Sequence, residues 1–151
     1  KNQFNLRGID AHILGAGGAG SAIALALIDN GVNRLLLSDI NIERRDTLIG
    51  RLKLARPNTR VLSVKPADFQ TKLIVNATPI GMNGDISHPF PLEKLYRNCL
   101  VADIVPSPEL TPWLIEAKNR GHRIQTGPQM IKNQFDALLD RLIPTDLSKR
   151  S

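Results

Sequence analysis

A single cysteine, Cys99, stands in the whole chain, so no internal disulfide can form, and a reducing cytoplasm is the compartment this suggests. The three histidines, His12, His88 and His122, are scattered and have no cysteines beside them, which argues against a zinc site and leaves no metal expected. Aromatic residues make up 4% of the chain, too few to build stacking platforms for single-stranded nucleic acid. No apolar run approaches the ~20 residues of a membrane span. Signal peptide, internal repeat and low-complexity tract are all missing. The chain opens KNQFNLRG without an initiating methionine, as expected of an excerpt from a longer protein.

What is present is an ordinary globular composition, 42% hydrophobic and 23% charged, over 151 residues, enough for one domain with a real core. The net charge is +6. Arg44, Arg45, Arg51, Lys53, Arg56, Arg60 and Lys65 crowd one stretch. Their plain reading is the solvated face of one helix and its flanks. The sharper readings are nucleic acid or a phosphorylated ligand, and the scarcity of aromatics weighs against nucleic acid.

Apolar runs alternate with helical periodicity along the chain. Ala11 to Leu14 reads as a strand entering glycines. Ala19, Ala22, Ile23, Ala26 and Leu27 then recur at the spacing of one helix face, stopped by Asn30-Gly31. Arg34 to Ser38 is an apolar strand of the kind buried on both faces of a parallel sheet. Leu48, Ile49, Leu52 and Ala55 mark a second helix, ended near Pro57. Val61–Val64, Lys72–Asn76 and Leu100–Ile104 are further strands. Thr111-Pro112 starts a helix as cap and first residue, and Gly121 stops it. His122 to Gln125 is a sixth, short strand. From Pro128 a final helix turns Ile131, Phe135, Leu138, Leu139 and Leu142 inward, and a polar tail follows over 144–151. The expected fold over residues 1–143 is therefore α/β: a doubly wound, mostly parallel sheet of about six strands flanked by helices. Such sheets bind ligands beyond the carboxyl ends of their strands, so the residues just after each strand carry the interest.

Gly15-Ala16-Gly17-Gly18-Ala19-Gly20 fits G-x-G-x-x-G between a strand and a helix, the context that a dinucleotide fingerprint requires. Gly15 serves the tight turn, Gly17 the approach to a pyrophosphate, and Gly20 close helix–sheet packing. The helix start offers N–H groups to phosphates. Asp39 follows 19 residues after Gly20, at the end of the second strand, where an acid can accept from adenosine ribose hydroxyls. A 2′-phosphate at ~4 Å from it would meet a repulsion of roughly 1 to 4 kcal/mol, depending on screening. Asp39 therefore favours NAD. Arg44 and Arg45, a helical turn further on, could curl back to a phosphate and keep NADP open.

After the fourth strand comes Asn76-Ala77-Thr78-Pro79-Ile80-Gly81-Met82. Later come DIVPSPELTPWL and Gly127-Pro128-Gln129-Met130-Ile131-Lys132-Asn133-Gln134. Read as residues alone, they are loops at strand ends and a glycine turn into a helix. Together with GAGGAG, in this order, they resemble the nucleotide-binding domain of the shikimate dehydrogenase family, which includes quinate/shikimate dehydrogenases. The resemblance covers about residues 4 to 143. It implies an oxidoreductase that moves hydride reversibly between 3-dehydroshikimate or dehydroquinate and NAD(P)H, with a place in aromatic amino acid biosynthesis. It implies that Asn76, Thr78 and Met82 line the nicotinamide riboside and that Gly127 offers backbone to the carboxamide. Met130 would pack by the nicotinamide ring, and Gln134 would reach the substrate.

The departures are informative. The family's tyrosine after the fifth strand is Pro106 here, which puts substrate preference in doubt. The family's NADP-type asparagine and arginine fall at Asp39 and Ile40, as in its NAD-using branch, while Arg44 keeps the second basic position. The family's substrate domain, with its catalytic lysine and aspartate, has no counterpart in these residues. Lys1 is no replacement, and Asp103 reads as structural, so no catalytic residue is assigned and the chain by itself is expected to bind cofactor without turnover. Two rivals stand beside this reading: a stand-alone NAD-binding or sensing module, and the nucleotide domain of another oxidoreductase. Neither the alcohol nor the oligomeric state can be read from the sequence.

Overall fold

The computed structural model describes residues 5–65 and 70–129. Six strands form one sheet: β1 (Asp10–Leu14), β2 (Arg34–Ser38), β3 (Arg60–Ser63), β4 (Leu73–Asn76), β5 (Leu100–Asp103) and β6 (Arg123–Gln125). Their spatial order is β3-β2-β1-β4-β5-β6 and every pairing is parallel. The chain thus winds outward from β1 to β3, returns, and winds the other way from β4 to β6. That is the doubly wound α/β arrangement expected, with its switch point between β1 and β4. Helices α1 (Gly18–Asp29), α2 (Ile42–Ala55) and α3 (Pro112–Asn119) make the β1–β2, β2–β3 and β5–β6 crossovers, and a short 3-10 turn covers Leu92–Lys94 between β4 and β5. The final helix expected from Pro128 is described only at its start, where residues 127–129 are helical; Met130, Gln134 and the tail from 144 lie outside the described residues. No described helix is long and apolar enough to cross a membrane.

Strand alternation splits the core in two. Ala11, Ile13, Leu35, Leu37, Val75 and Ala102 face α1 and α2. Leu14, Ile74 and Val101 face Phe90, Trp113 and Leu114. The Trp113 indole donates to the Phe90 carbonyl at 3.0 Å, which satisfies its polar atom inside that layer.

The inward face of α1 differs from the one the periodicity suggests. Gly20, Ile23, Ala24, Leu27 and Ile28 are buried, whereas Ala19 and Ala22 are exposed. The helix is apolar or small nearly all the way round, so spacing alone allows more than one face. Gly20 decides it, because a Cβ there would collide with the Gly15 carbonyl oxygen, and the bare face must meet the loop. In α2, Leu48 and Leu52 are buried as expected, Ile49 packs at the margin, and Ala55 is exposed in the last turn. Strand β3 begins one residue earlier than expected, but the Val64 N–H still bonds the Leu37 carbonyl at 3.1 Å.

One core position is not apolar. His12 is fully buried in β1, with Nε2 3.0 Å from the Ser38 hydroxyl and its ring edge-on to Phe90. Its Nδ1 has no partner among the described residues. Burial, with no anion to offset it, pushes the imidazole pKa down to about 4. The folded protein therefore holds His12 neutral, while the unfolded chain takes up a proton below about 6.5. Stability is complete above that pH and is lost as pH falls from about 6.5 toward 4. Denaturant unfolding should show about 2 kcal/mol less stability at about pH 5 than at about pH 7.5. His12→Leu should abolish most of that difference; an unchanged acid loss in the variant would sink the assignment.

Candidate functional site

Parallel pairing brings the strand ends into one row. Ser38 is in register with Leu14, Leu14 with Asn76, and Asn76 with Asp103. The ladder runs one residue further: Gly15 N–H bonds the Ser38 carbonyl at 2.8 Å, Ala77 N–H bonds Leu14 at 2.7 Å, and Ile104 N–H bonds Asn76 at 3.1 Å. The loops that leave this row, beginning at Gly15, Asp39, Ala77 and Ile104, therefore start from one level at the carboxyl edge.

The glycine loop occupies the switch point. Gly15 has φ +104°, and a Cβ there would lie 2.8 Å from the Ala77 carbonyl oxygen, so the loop is pressed against the start of the β4 loop. Gly17 and Gly18 face open space, with nothing within 4 Å of a built Cβ. The helix that follows is the only one of the three described helices whose N-cap side chain makes no capping bond. Asn41 caps α2 through the Arg44 N–H, and Thr111 caps α3 through the Leu114 N–H, while Gly17 offers no side chain to α1. The first turn of α1 also carries no acid. Its leading amides are left for an anion, and the bare glycines leave room for one.

Asp39 is tied into the same loop. Its side chain is 2% exposed. One carboxylate oxygen accepts from Ala16 N–H at 2.8 Å and Arg44 Nε at 2.9 Å. The other accepts from Asn41 N–H at 2.8 Å and Arg44 Nη2 at 3.0 Å. Burial works to raise the Asp39 carboxyl, but the two backbone N–H groups and the guanidinium outweigh it and hold the group below the usual carboxylate range. Arg44 thus lies bidentate on Asp39, and Ile40 beside it is fully exposed. Arg45 pairs instead with Asp46, and Arg56 with Asp29, so three of the seven clustered cations are engaged in ion pairs.

A second buried carboxylate sits further along the row. Asp103 is 1% exposed. Its Oδ1 accepts from Val105 N–H at 3.0 Å and from Asn76 Nδ2 at 3.2 Å, and its Oδ2 accepts from the Thr111 hydroxyl at 3.0 Å. Burial pushes its carboxyl above the usual range despite these three donors. Asn76 spends the rest of its amide on its own loop: Nδ2 also donates to the Ile80 carbonyl, and Oδ1 accepts from both the N–H and the hydroxyl of Thr78. Asn76 is fully buried with both donors and both acceptor sites used, and it forms the frame of the loop. Thr78 and Met82 are half-buried on that loop. Gly127 is buried against the β5 loop, where a Cβ would lie 2.7 Å from the Ile104 carbonyl oxygen and 2.8 Å from that of Val105.

One feature escapes the sequence reading. Thr126 and Gln129 form a reciprocal cap, with Gln129 N–H on the Thr126 hydroxyl and Thr126 N–H on Gln129 Oε1. The T-x-x-Q spacing is the signal that could have shown it. Among the described residues no three of His, Cys, Asp and Glu come together as they would around a metal ion.

No family model matches the chain. Curated relatives and solved structures do. The shikimate dehydrogenase (NADP(+)) of Lysinibacillus sphaericus is 32% identical over 126 residues, 81% of this chain and 44% of the relative. The quinate dehydrogenase of Corynebacterium glutamicum, solved in complex with NAD, superposes with a TM-score of 0.74 at 29% identity, covering 81% of this chain and 45% of that one. The shikimate 5-dehydrogenase of Thermus thermophilus, solved with NADP(H) and shikimate, gives 0.71 at 31% identity, covering 83% of this chain and 45% of that one. The chain is related to the shikimate dehydrogenase family. It spans less than half the length of these relatives. The six-stranded parallel α/β sheet superposes on the corresponding part of these dehydrogenases.

Two glycines separate packing from binding in this shikimate dehydrogenase relative. Gly20→Ala forces Cβ onto the Gly15 carbonyl and should lower stability by about 1 to 3 kcal/mol. Gly17→Ala meets no protein atom and should leave the melting temperature unchanged, yet weaken binding of an adenine dinucleotide by about tenfold or more. Thermal melts and calorimetry on both variants test the split; equal melting losses would refute it.

Proposed function

We propose that the chain is the nucleotide-binding half of a shikimate or quinate dehydrogenase-like oxidoreductase, one that transfers hydride reversibly between a nicotinamide cofactor and 3-dehydroshikimate or dehydroquinate. The observation that carries the reading is the uncapped α1 N-terminus with open Gly17 and Gly18, set between Asp39 on one side and the Thr78 loop on the other. The residues fit a dinucleotide. Gly17, Gly18 and Ala19 present amides to the pyrophosphate, with Gly15, Ala16 and Gly20 shaping the loop beneath it. Asp39 takes the adenosine ribose. Thr78 and Met82 flank the nicotinamide riboside, Asn76 holds their loop in shape, and Gly127 brings backbone to the carboxamide side. Met130 and Gln134 keep the roles that the resemblance implies, beside the ring and toward the substrate. When bound, the cofactor supplies the hydride chemistry; the chain supplies position and electrostatics. By itself the chain holds cofactor without turnover, because no residue of it is assigned to move the alcohol's proton. The setting we propose is cytoplasmic.

Cofactor choice turns on Arg44. With four donors on Asp39, a ribose can reach the carboxylate only by displacing guanidinium bonds, since the two backbone N–H groups are fixed by the loop and by the start of α2. NAD exchanges its two ribose hydroxyls for the two Arg44 bonds and leaves Asp39 satisfied. NADP brings its phosphate toward a carboxylate that cannot turn away, and Arg44 must then serve the phosphate. We therefore favour NAD, with NADP as the weaker ligand.

Calorimetric titration of this chain with NAD and NADP at one salt concentration tests the proposal. NAD should bind at least about tenfold more tightly, and Asp39→Asn should bring the two within about threefold. Tighter NADP binding would reverse the assignment of Arg44 and Asp39. Binding of neither would remove the dinucleotide reading for this chain.

A further inference from the structure

We infer that Asp103 is a positioning residue for the nicotinamide half of the site, and that it sets affinity for that half without touching the cofactor. The inference rests on the dinucleotide reading above and goes beyond it.

Three segments meet at this one carboxylate. Through Asn76 Nδ2 it holds the loop that carries Thr78, whose N–H and hydroxyl both bond Asn76 Oδ1. Through Val105 N–H it orients the peptide after β5, and the carbonyls of Ile104 and Val105 are the atoms packed against Gly127. Through the Thr111 hydroxyl it fixes the start of α3, since the same hydroxyl accepts from Leu114 N–H at 3.3 Å. The Thr111 side chain also lies against Gly81, 3.5 Å from the place a Cβ would take, so the far end of the Thr78 loop rests on the same support. Loops 76–82 and 104–111 and the turn at Gly127 therefore share one anchor.

No cation among the described residues pairs with Asp103; its partners are an amide, a hydroxyl and a backbone N–H. A buried carboxylate held only by neutral donors is costly to keep for packing alone. What it provides is three charge-assisted bonds converging on a single point, each stiffer than a neutral counterpart. The adenosine side is built separately. Asp39, Ala16 and Arg44 form their own network, and among the described residues no bond joins it to Asp103. The two carboxylates divide the cleft between them.

This division gives a readout that general destabilisation does not imitate. NADH carries both halves of the cofactor, and ADP-ribose carries the adenosine diphosphate without the ring. With the full chain, wild type should bind NADH more tightly than ADP-ribose and should enhance the nicotinamide fluorescence. Asp103→Asn should lose about tenfold or more in NADH affinity, and the enhancement with it, while ADP-ribose stays within about twofold. Thr111→Val should show the same split, and Thr111→Ser, which keeps the hydroxyl, should restore wild-type behaviour; this pair carries the test if Asp103→Asn does not fold. Equal losses for both ligands, or no loss for either, overturn the inference while leaving the dinucleotide reading intact. A wild-type chain that binds ADP-ribose but gains nothing from the nicotinamide ring overturns the inference too. A wild type that binds neither overturns the dinucleotide reading and the inference with it.

Discussion

The site depends on the register of four parallel strands. Because Ser38, Leu14, Asn76 and Asp103 stand abreast, the loops that follow them leave the sheet at one level and on one edge. A slip of one residue in any of these strands would turn its core face outward and carry its loop out of line. The apolar layers enforce that register: Ala11, Ile13, Leu35, Leu37, Val75 and Ala102 must all face α1 and α2, and Leu14, Ile74 and Val101 must all face Trp113 and Phe90. Packing on both faces of the sheet is thus what aligns the polar edge.

On that edge the polar groups are organised by two carboxylates of different character. Asp39 is drawn down in pKa, held by two backbone amides and an arginine whose far side is half in solvent. Asp103 is pushed up by burial and, among the described residues, held by neutral donors only. The first can change partners, since Arg44 is a long side chain that can swing away. The second cannot, since each of its donors is part of a loop frame. On the proposed reading, a dinucleotide reaching from one to the other would meet one adaptable end and one rigid end.

Much of this was legible in the sequence. Strand β2, the α3 cap at Thr111 and the glycine fingerprint follow from local rules: a continuous apolar run, a cap followed by proline, and a spacing that needs three glycines. The face of α1 was less legible, because GAGSAIALALID has too little polar contrast for its period to choose, and the choice rests on a collision between Gly20 and Gly15 that no spacing displays. Asp103 already read as structural, whereas the role of Asn76 was hidden for a related reason. An asparagine in a loop can face a ligand or the protein, and only the positions of Thr78, Ile80 and Asp103 around it show that its valences are already filled. Arg44 could be seen near Asp39 in sequence, but its bidentate hold depends on the helix starting at Ile42, which turns residue 44 back over the strand end.

The bare start of α1 has one more consequence. The other two described helices bring their own caps, so their first turns are complete before any ligand arrives. Helix α1 has no side-chain cap of its own, and on the reading proposed above a bound phosphate would stand in for it. On that reading the phosphate would complete the opening turn of α1, and its binding would add directly to the stability of the fold.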